Sequence, residues 1–141
     1  MTTIIGLDHG TRRIGVAVAE VETRMAFARA AIQRRNLEDD LEIIRALAVR
    51  ESAELLVLGL PLNMDGSEGS QAGLVRSFGE RLAASGMAIA YQDERLSSWE
   101  AGERLVEAGT RPPRHGGELD SAAARVILQQ YLDAQPPEET E

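Results

Sequence analysis

The apolar and polar positions of this chain change period several times, and each change marks an element. Residues 3–9 and 13–20 are apolar, β-rich runs separated by HGTR. In the second run Ile14, Val16 and Val18 alternate with Gly15, Ala17 and Ala19 as on a pleated strand, so the two runs predict a hairpin. Residues 25–32, MAFARAAI, predict a third strand of the same meander, although alanine has little strand preference. Asn36 is then an N-cap candidate, and Leu37, Leu41, Ile44, Leu47 and Ala48 recur at helical spacing to about Glu51. The acids between them are expected on the wet face of that helix.

The run ELLVLGLP is continuously apolar, as in a parallel strand covered on both faces. The turn-rich LNMDGSEGS follows, and Leu74, Val75, Phe78 and Leu82 mark a second helix ending near Gly86. MAIAYQDE is another apolar run, finishing in acids. A third helix is expected from about Ser98 to Ala108, with Ala101, Leu105 and Val106 inward and Gly109 at its C-terminal end. TRPPRHGGEL predicts a loop, and Leu119 to Leu132 a last helix with Ala123, Val126, Ile127 and Tyr131 on one face. The order is three consecutive strands, then helix, strand, helix, strand, helix, helix. With right-handed crossovers it predicts an α/β domain, a mixed five-stranded sheet of an antiparallel three-strand meander plus two parallel strands, with helices on both faces. Residues 1–133 are expected to be a single domain and 134–141 a disordered acidic tail.

Composition narrows the chemistry. A chain of 141 residues can bury a core without staples, and the absence of cysteine removes disulfides and thiolate metal sites. With His9 and His115 the only histidines, a bound metal would be held largely by carboxylates, which favours Mg²⁺ or Mn²⁺ over zinc. No apolar run reaches the length of a membrane span and the N-terminus carries no leader pattern, so a cytoplasmic protein without membrane partners is expected. A net charge of −8 argues against holding nucleic acid by bulk electrostatics. Yet all fifteen basic residues are arginine, suited to bidentate phosphate contacts, and they cluster as Arg12/Arg13, Arg34/Arg35 and Arg111/Arg114.

Three acids stand at element ends. Asp8 closes the first strand, Glu94 with Asp93 beside it closes the last, and Asp120 lies in the first turn of the last helix. Brought together, three carboxylates repel one another unless cations neutralise them, and divalent ions so held can activate water against a phosphodiester. Taken singly, Asp120 also reads as a plain N-cap, and DER as a strand-end ion pair.

Four motifs in order, GLDHGTRRIGVAV, LVLGLPLNMDGSEG, DERLSS and LDSAAARVILQQYL, resemble the YqgF family of Holliday-junction-resolvase-like nucleases with an RNase H-like fold. The resemblance covers about residues 3–132. It departs at DERLSS, where the family more often carries threonines after the leucine; the hydroxyls are kept. It implies a divalent-metal-dependent endonuclease with Asp8, Glu94 and Asp120 as catalytic residues and ligands of Mg²⁺ or Mn²⁺. It also implies a role in maturing the precursor of small-subunit ribosomal RNA, beside the older junction-resolvase label. The partners so implied are an rRNA precursor or branched DNA and the ribosomal small subunit.

Other residues take roles from chemistry. Gly10 lets backbone approach a phosphate, Thr11 can donate to it and Arg12 or Arg13 can clamp it, although Gly10 serves a tight hairpin turn equally well. Arg95, beside Glu94, is expected to hold a carboxylate or a phosphate, and Arg111 and Arg114, in the loop before Asp120 with His115, are placed to reach a nucleic-acid strand if that loop is mobile. The NMDGSEG loop offers backbone N–H groups to an anion or is a surface turn, and Trp99 stacks on a base or packs. Two other functions remain open: a phosphate loop of the sugar-kinase and actin type, for which one domain is too short, and a non-catalytic ribosome-assembly or nucleic-acid-binding module. A junction resolvase would require a two-fold dimer, an rRNA nuclease is compatible with a monomer or homodimer.

Overall fold

The computed structural model describes residues 2–94 and 117–135. Its strands are β1 (Thr3–His9), β2 (Arg13–Glu20), β3 (Met25–Gln33), β4 (Ala53–Leu60) and β5 (Ile89–Asp93), and its helices α1 (Leu37–Glu51), α2 (Ser70–Ala84) and α3 (Gly117–Ala134). They form one five-stranded sheet in the order β3-β2-β1-β4-β5. β1, β2 and β3 are the antiparallel meander, and β4 and β5 are parallel to β1, the fold class expected from the sequence. The helix expected over Ser98–Ala108 lies outside the described residues, as does the tail beyond Gln135.

Strand alternation sorts the core into two layers. Ile5, Leu7, Val16 and Val18 pack with Leu41, Ile44 and Leu47 of α1 and with Val75, Phe78 and Leu82 of α2. On the opposite face Ile4, Ala17, Ala19 and Val57 meet Ala124, Ile127, Leu128 and Leu132 of α3. Small residues on this second face let α3 lie close. A β-carbon at Gly6 would stand 2.8 Å from Leu128 Cβ and 3.1 Å from the Ala124 carbonyl, closer than packed side chains come.

The direction of α3 is fixed by its contacts. Near its C-terminus, Arg24 donates to the Leu132 carbonyl (2.7 Å), and Gln129 both accepts from Ala26 N–H (3.0 Å) and donates to the Arg24 carbonyl (2.9 Å). Those residues open β3, and Val21 N–H donates to the Thr2 carbonyl (2.9 Å) beside them, at the start of β1. With Ala124 at Gly6, α3 runs antiparallel to β1, and its N-terminus lies toward the C-terminal end of that strand.

At the start of α1, Asn36 caps the helix as expected, its side chain accepting from Asp39 N–H at 2.9 Å. The expectation that the acids of this helix all face water fails at Asp40, which is fully buried. Position 40 shares the helical stripe of Ile44 and Leu47, a signal present in the sequence. The burial is sustained by Arg34, whose Nε donates to Asp40 Oδ2 at 3.2 Å, and by Arg35 N–H, which donates to Oδ1 at 3.0 Å.

Candidate active site

Because β1, β4 and β5 are parallel, their C-terminal ends share one edge of the sheet, where sites in such folds form. Asp8 is the penultimate residue of β1, on the α3 face by its alternation with Ile4 and Gly6. Glu94 follows β5 directly, and its N–H donates to the Leu60 carbonyl at 3.1 Å, continuing the ladder for one residue. β4 runs between these two strands. Leu7 is opposite Leu58, so Asp8 stands one step on, beside Gly59.

Gly59 is the floor on which the carboxylates meet. A β-carbon there would collide with Oε2 of Glu94 and with Cδ1 of Ile127. Glu94 therefore lays its side chain over β4 toward Asp8. Burial first, then the Asp8 charge, a hydrogen bond with Asp8 that favours the protonated form, and the Asp93 charge push the Glu94 carboxyl up to about 8. Oε2 of Glu94 is buried without a hydrogen-bond partner. Two acids are thus held in repulsion, with a buried oxygen lone pair unused.

That arrangement fits a divalent cation. Carboxylate oxygens are the donors Mg²⁺ and Mn²⁺ take, and an ion here would satisfy Oε2 and remove the repulsion. Among the described residues no group of three or more His, Asp or Glu side chains is arranged to hold a metal. Asp120 belongs to the first turn of α3, four residues before Ala124, but its side chain lies outside the description. Arg95, Arg111, Arg114, Trp99 and His115 lie outside the described residues as well.

The β1–β2 turn carries the remaining predicted contacts. Gly10 N–H donates to the Arg13 carbonyl at 2.9 Å, and a β-carbon at Gly10 would stand 2.6 Å from that oxygen, so the hairpin itself requires the glycine. Thr11 and Arg12 are exposed at the turn and Arg13 begins β2, half-buried. Sequence reasoning missed what braces this turn. Arg34, held by buried Asp40, donates Nη1 to the Gly10 carbonyl (2.9 Å), and its N–H donates to the Arg12 carbonyl (2.9 Å).

His9 points to the α1/α2 side and packs on Phe78, ring centroids 4.7 Å apart. Burial and then the Arg34 charge push its pKa down to about 4, against the raising effects of its own backbone hydrogen bond and of Asp40. The loop after β4 is internally bonded. Asp65 Oδ1 accepts from Ser67 N–H (2.9 Å), Asn63 N–H donates to the Ser67 carbonyl (2.8 Å), and Glu68 pairs with Arg76 through two contacts of 2.6 and 2.7 Å.

The chain is similar to known proteins over nearly its whole length. A Synechococcus protein named "Putative pre-16S rRNA nuclease" is 46% identical over 132 residues, 93% of this chain and 89% of that one. A protein of the same name from an Anaeromyxobacter species is 45% identical over 134 residues, covering 94% and 98%. Among solved structures, Thermus thermophilus RuvC in complex with Holliday junction substrate superposes with a TM-score of 0.61 at 15% identity, covering 95% of each chain. The fowlpox virus Holliday junction resolvase gives 0.59 at 8% identity, covering 94% of this chain and 99% of that one. These likenesses establish the RNase H-like fold of the RuvC type. The model of the RuvX (YqgF) family, described as Holliday junction resolvase, matches residues 2–134, and the chain belongs to that family.

Proposed function

We propose that this chain is a divalent-metal-dependent endonuclease of the small-subunit rRNA precursor, with Asp8, Glu94 and Asp120 as its metal ligands. The observation that carries this reading is the enforced pairing of Asp8 and Glu94 across Gly59, with Glu94 Oε2 buried and unpartnered. Two strands and a glycine hold two carboxyl groups so close that Glu94 keeps its proton up to about pH 8, and a bound cation would take the place of that proton. Backbone geometry supports the third ligand. α3 runs antiparallel to β1, and position 120 is one helical turn, about 6 Å, beyond Ala124 toward the strand end. Asp8 is two residues, also about 6–7 Å, beyond Gly6, which Ala124 touches. Residues 1–133 then make one nuclease domain.

When bound, Mg²⁺ or Mn²⁺ supplies a lowered pKa for attacking water and charge for the departing oxygen. This chain's residues do the holding and orienting. Asp8 and Glu94 would hold the ion from the C-terminal ends of two parallel strands. The turn at Gly10, braced by Arg34, presents Thr11 and Arg12 to a phosphate, and Arg13, Arg95, Arg111 and Arg114 are further phosphate contacts. Among the described residues no helix is long and apolar enough to cross a membrane.

The rRNA reading is favoured by the name of relatives 45–46% identical over nearly the whole chain. A second reading, resolution of branched DNA, is favoured by the family description. Incubation with a small-subunit rRNA precursor and with a four-way junction, each with Mg²⁺, Mn²⁺ or chelator, separates the two, and solution mass reports the two-fold dimer that junction resolution requires. Specific metal-dependent cutting of the RNA is expected. Binding without cutting of either substrate in any metal would replace both readings with a non-catalytic assembly module.

A further inference from the structure

Across the sheet from the carboxylates, a cavity of about 530 Å³ opens between α1 and α2. Its volume falls in the range of about 300–1,000 Å³ typical of small-molecule sites. It is lined by the rings of His9 and Phe78, which meet at a tilt of 46°, by Leu37 at the start of α1 and Leu74 of α2, and by Ser77 and Glu80 of α2, which supply polar groups. We propose that this cavity receives a nucleobase swung out of the substrate strand beside the scissile phosphate. The inference rests on the nuclease reading and names a specificity site for it.

The chemistry of the walls selects a base rather than a phosphate. Arg34 is held by buried Asp40 (3.2 Å) and the Gly10 carbonyl (2.9 Å), and Arg81 makes an exposed pair with Glu38 (2.6 Å). What the cavity still offers is an aromatic pair, two aliphatic side chains, a hydroxyl and a carboxylate. Aromatic and aliphatic lining suits the apolar faces of a base, and Ser77 and Glu80 suit its hydrogen-bonding edge. Glu80 repels a phosphate but accepts from an exocyclic amino group, which favours cytosine, adenine or guanine over uracil.

Position joins the cavity to the cutting site. Asp8 and His9 are consecutive, with Cα atoms about 3.8 Å apart, and their side chains leave β1 on opposite faces. A strand crossing the C-terminal edge of the sheet with a phosphate at Asp8 and Glu94 would continue toward the His9 side of that edge, where the cavity lies. Extruding a base next to the reacting bond also favours flexible or single-stranded segments, where unstacking costs least.

The test scans one cleavable substrate with single abasic residues around the cut, measuring affinity and cutting for the wild type and for Ser77→Trp. Ser77 is exposed on α2, and the indole fills the cavity from its rim. One abasic position is expected to weaken wild-type binding by about tenfold. Ser77→Trp is expected to bind intact substrate about tenfold more weakly and to be indifferent to that same abasic position. Should Ser77→Trp fail to fold, Leu74→Trp, exposed on the neighbouring wall, carries the same expectation. A wild type that cuts normally with no abasic-sensitive position overturns the cavity assignment alone, as does a filled variant that keeps wild-type sensitivity. A wild type that cuts no intact strand overturns the nuclease reading and the assignment with it.

Discussion

Gly59 of β4 and Glu94 at the end of β5 fit so closely that a single methyl group on the first would occupy the place of Oε2 on the second. Cδ1 of Ile127 of α3 stands at the same point, so an added methyl group would meet the ends of two side chains at once. Gly59→Ala is therefore expected to swing Glu94 away from Asp8 and to cost about 1–3 kcal/mol by overpacking. Metal-dependent cutting should fall by about a hundredfold while the far-ultraviolet circular dichroism remains native. Retained activity in a folded Gly59→Ala protein would show that Glu94 does not need this position.

Glu94 and Asp93 are neighbours in different surroundings. Asp93 ends β5 opposite Leu60, whereas Glu94 carries the carboxyl coupled to Asp8. Glu94→Gln is expected to lose Mn²⁺-dependent cutting by about a hundredfold or more, because an amide brings no charge to the ion. Asp93→Asn should keep a measurable part, since Asp93 bears on Glu94 through its charge. The reverse ranking in a cleavage assay would mean that Asp93 is the ligand.

Most of the architecture was legible because strand and helix periods report burial directly. Ile5, Leu7 and Val16 alternate, Leu41 and Ile44 keep the helical period, and each ended in the layer its period implied. The Asp8–Glu94 meeting was legible only as acids at strand ends. Its decisive part, a glycine on the strand between them, depends on register, which local pattern does not encode. Asp40 was misread because an acid on a helix is usually wet, and its partner Arg34 looked like one of several surface arginines. Its position on the stripe of Ile44 and Leu47 was the signal, and Arg34 six residues earlier was the partner that made burial tolerable.

Breaking the Arg34–Asp40 pair leaves a fully buried carboxylate with one N–H donor. Arg34→Ala is expected to destabilise the protein by about 3 kcal/mol, the lower end for such pairs because Arg34 itself is partly exposed. The loss should be local as well as global. Arg34 also holds the Gly10 and Arg12 carbonyls, so amide exchange in residues 9–13 should rise beyond the change in overall stability. Uniform acceleration across all strands would show that Arg34 supports the core without bracing the turn.

In the metal-free protein the two perturbed groups at the end of β1 give opposite pH dependences. Glu94 titrates near 4.5 when unfolded and at about 8 in the fold, so its protonated form is favoured by folding. Its contribution is fully present below 4.5 and is lost as pH rises to about 8. His9 titrates near 6.5 unfolded and at about 4 folded, so its contribution is present above 6.5 and is lost as pH falls toward 4. Between 4.5 and 6.5 the two oppose each other, while from 6.5 to 8 only Glu94 of the pair acts. In chelator, Glu94→Gln should therefore melt higher than wild type by a margin that grows across that upper window, reaching several degrees by pH 8.5. The margin should vanish at pH 4. Asp8→Asn, which removes the like charge facing Glu94, should raise the melting temperature in the same window. Adding Mn²⁺ should stabilise wild type more than either variant, since the ion binds the folded pair of carboxylates. A melting temperature of Glu94→Gln equal to or below that of wild type at pH 8.5 in chelator would show that Asp8 and Glu94 are not held in repulsion.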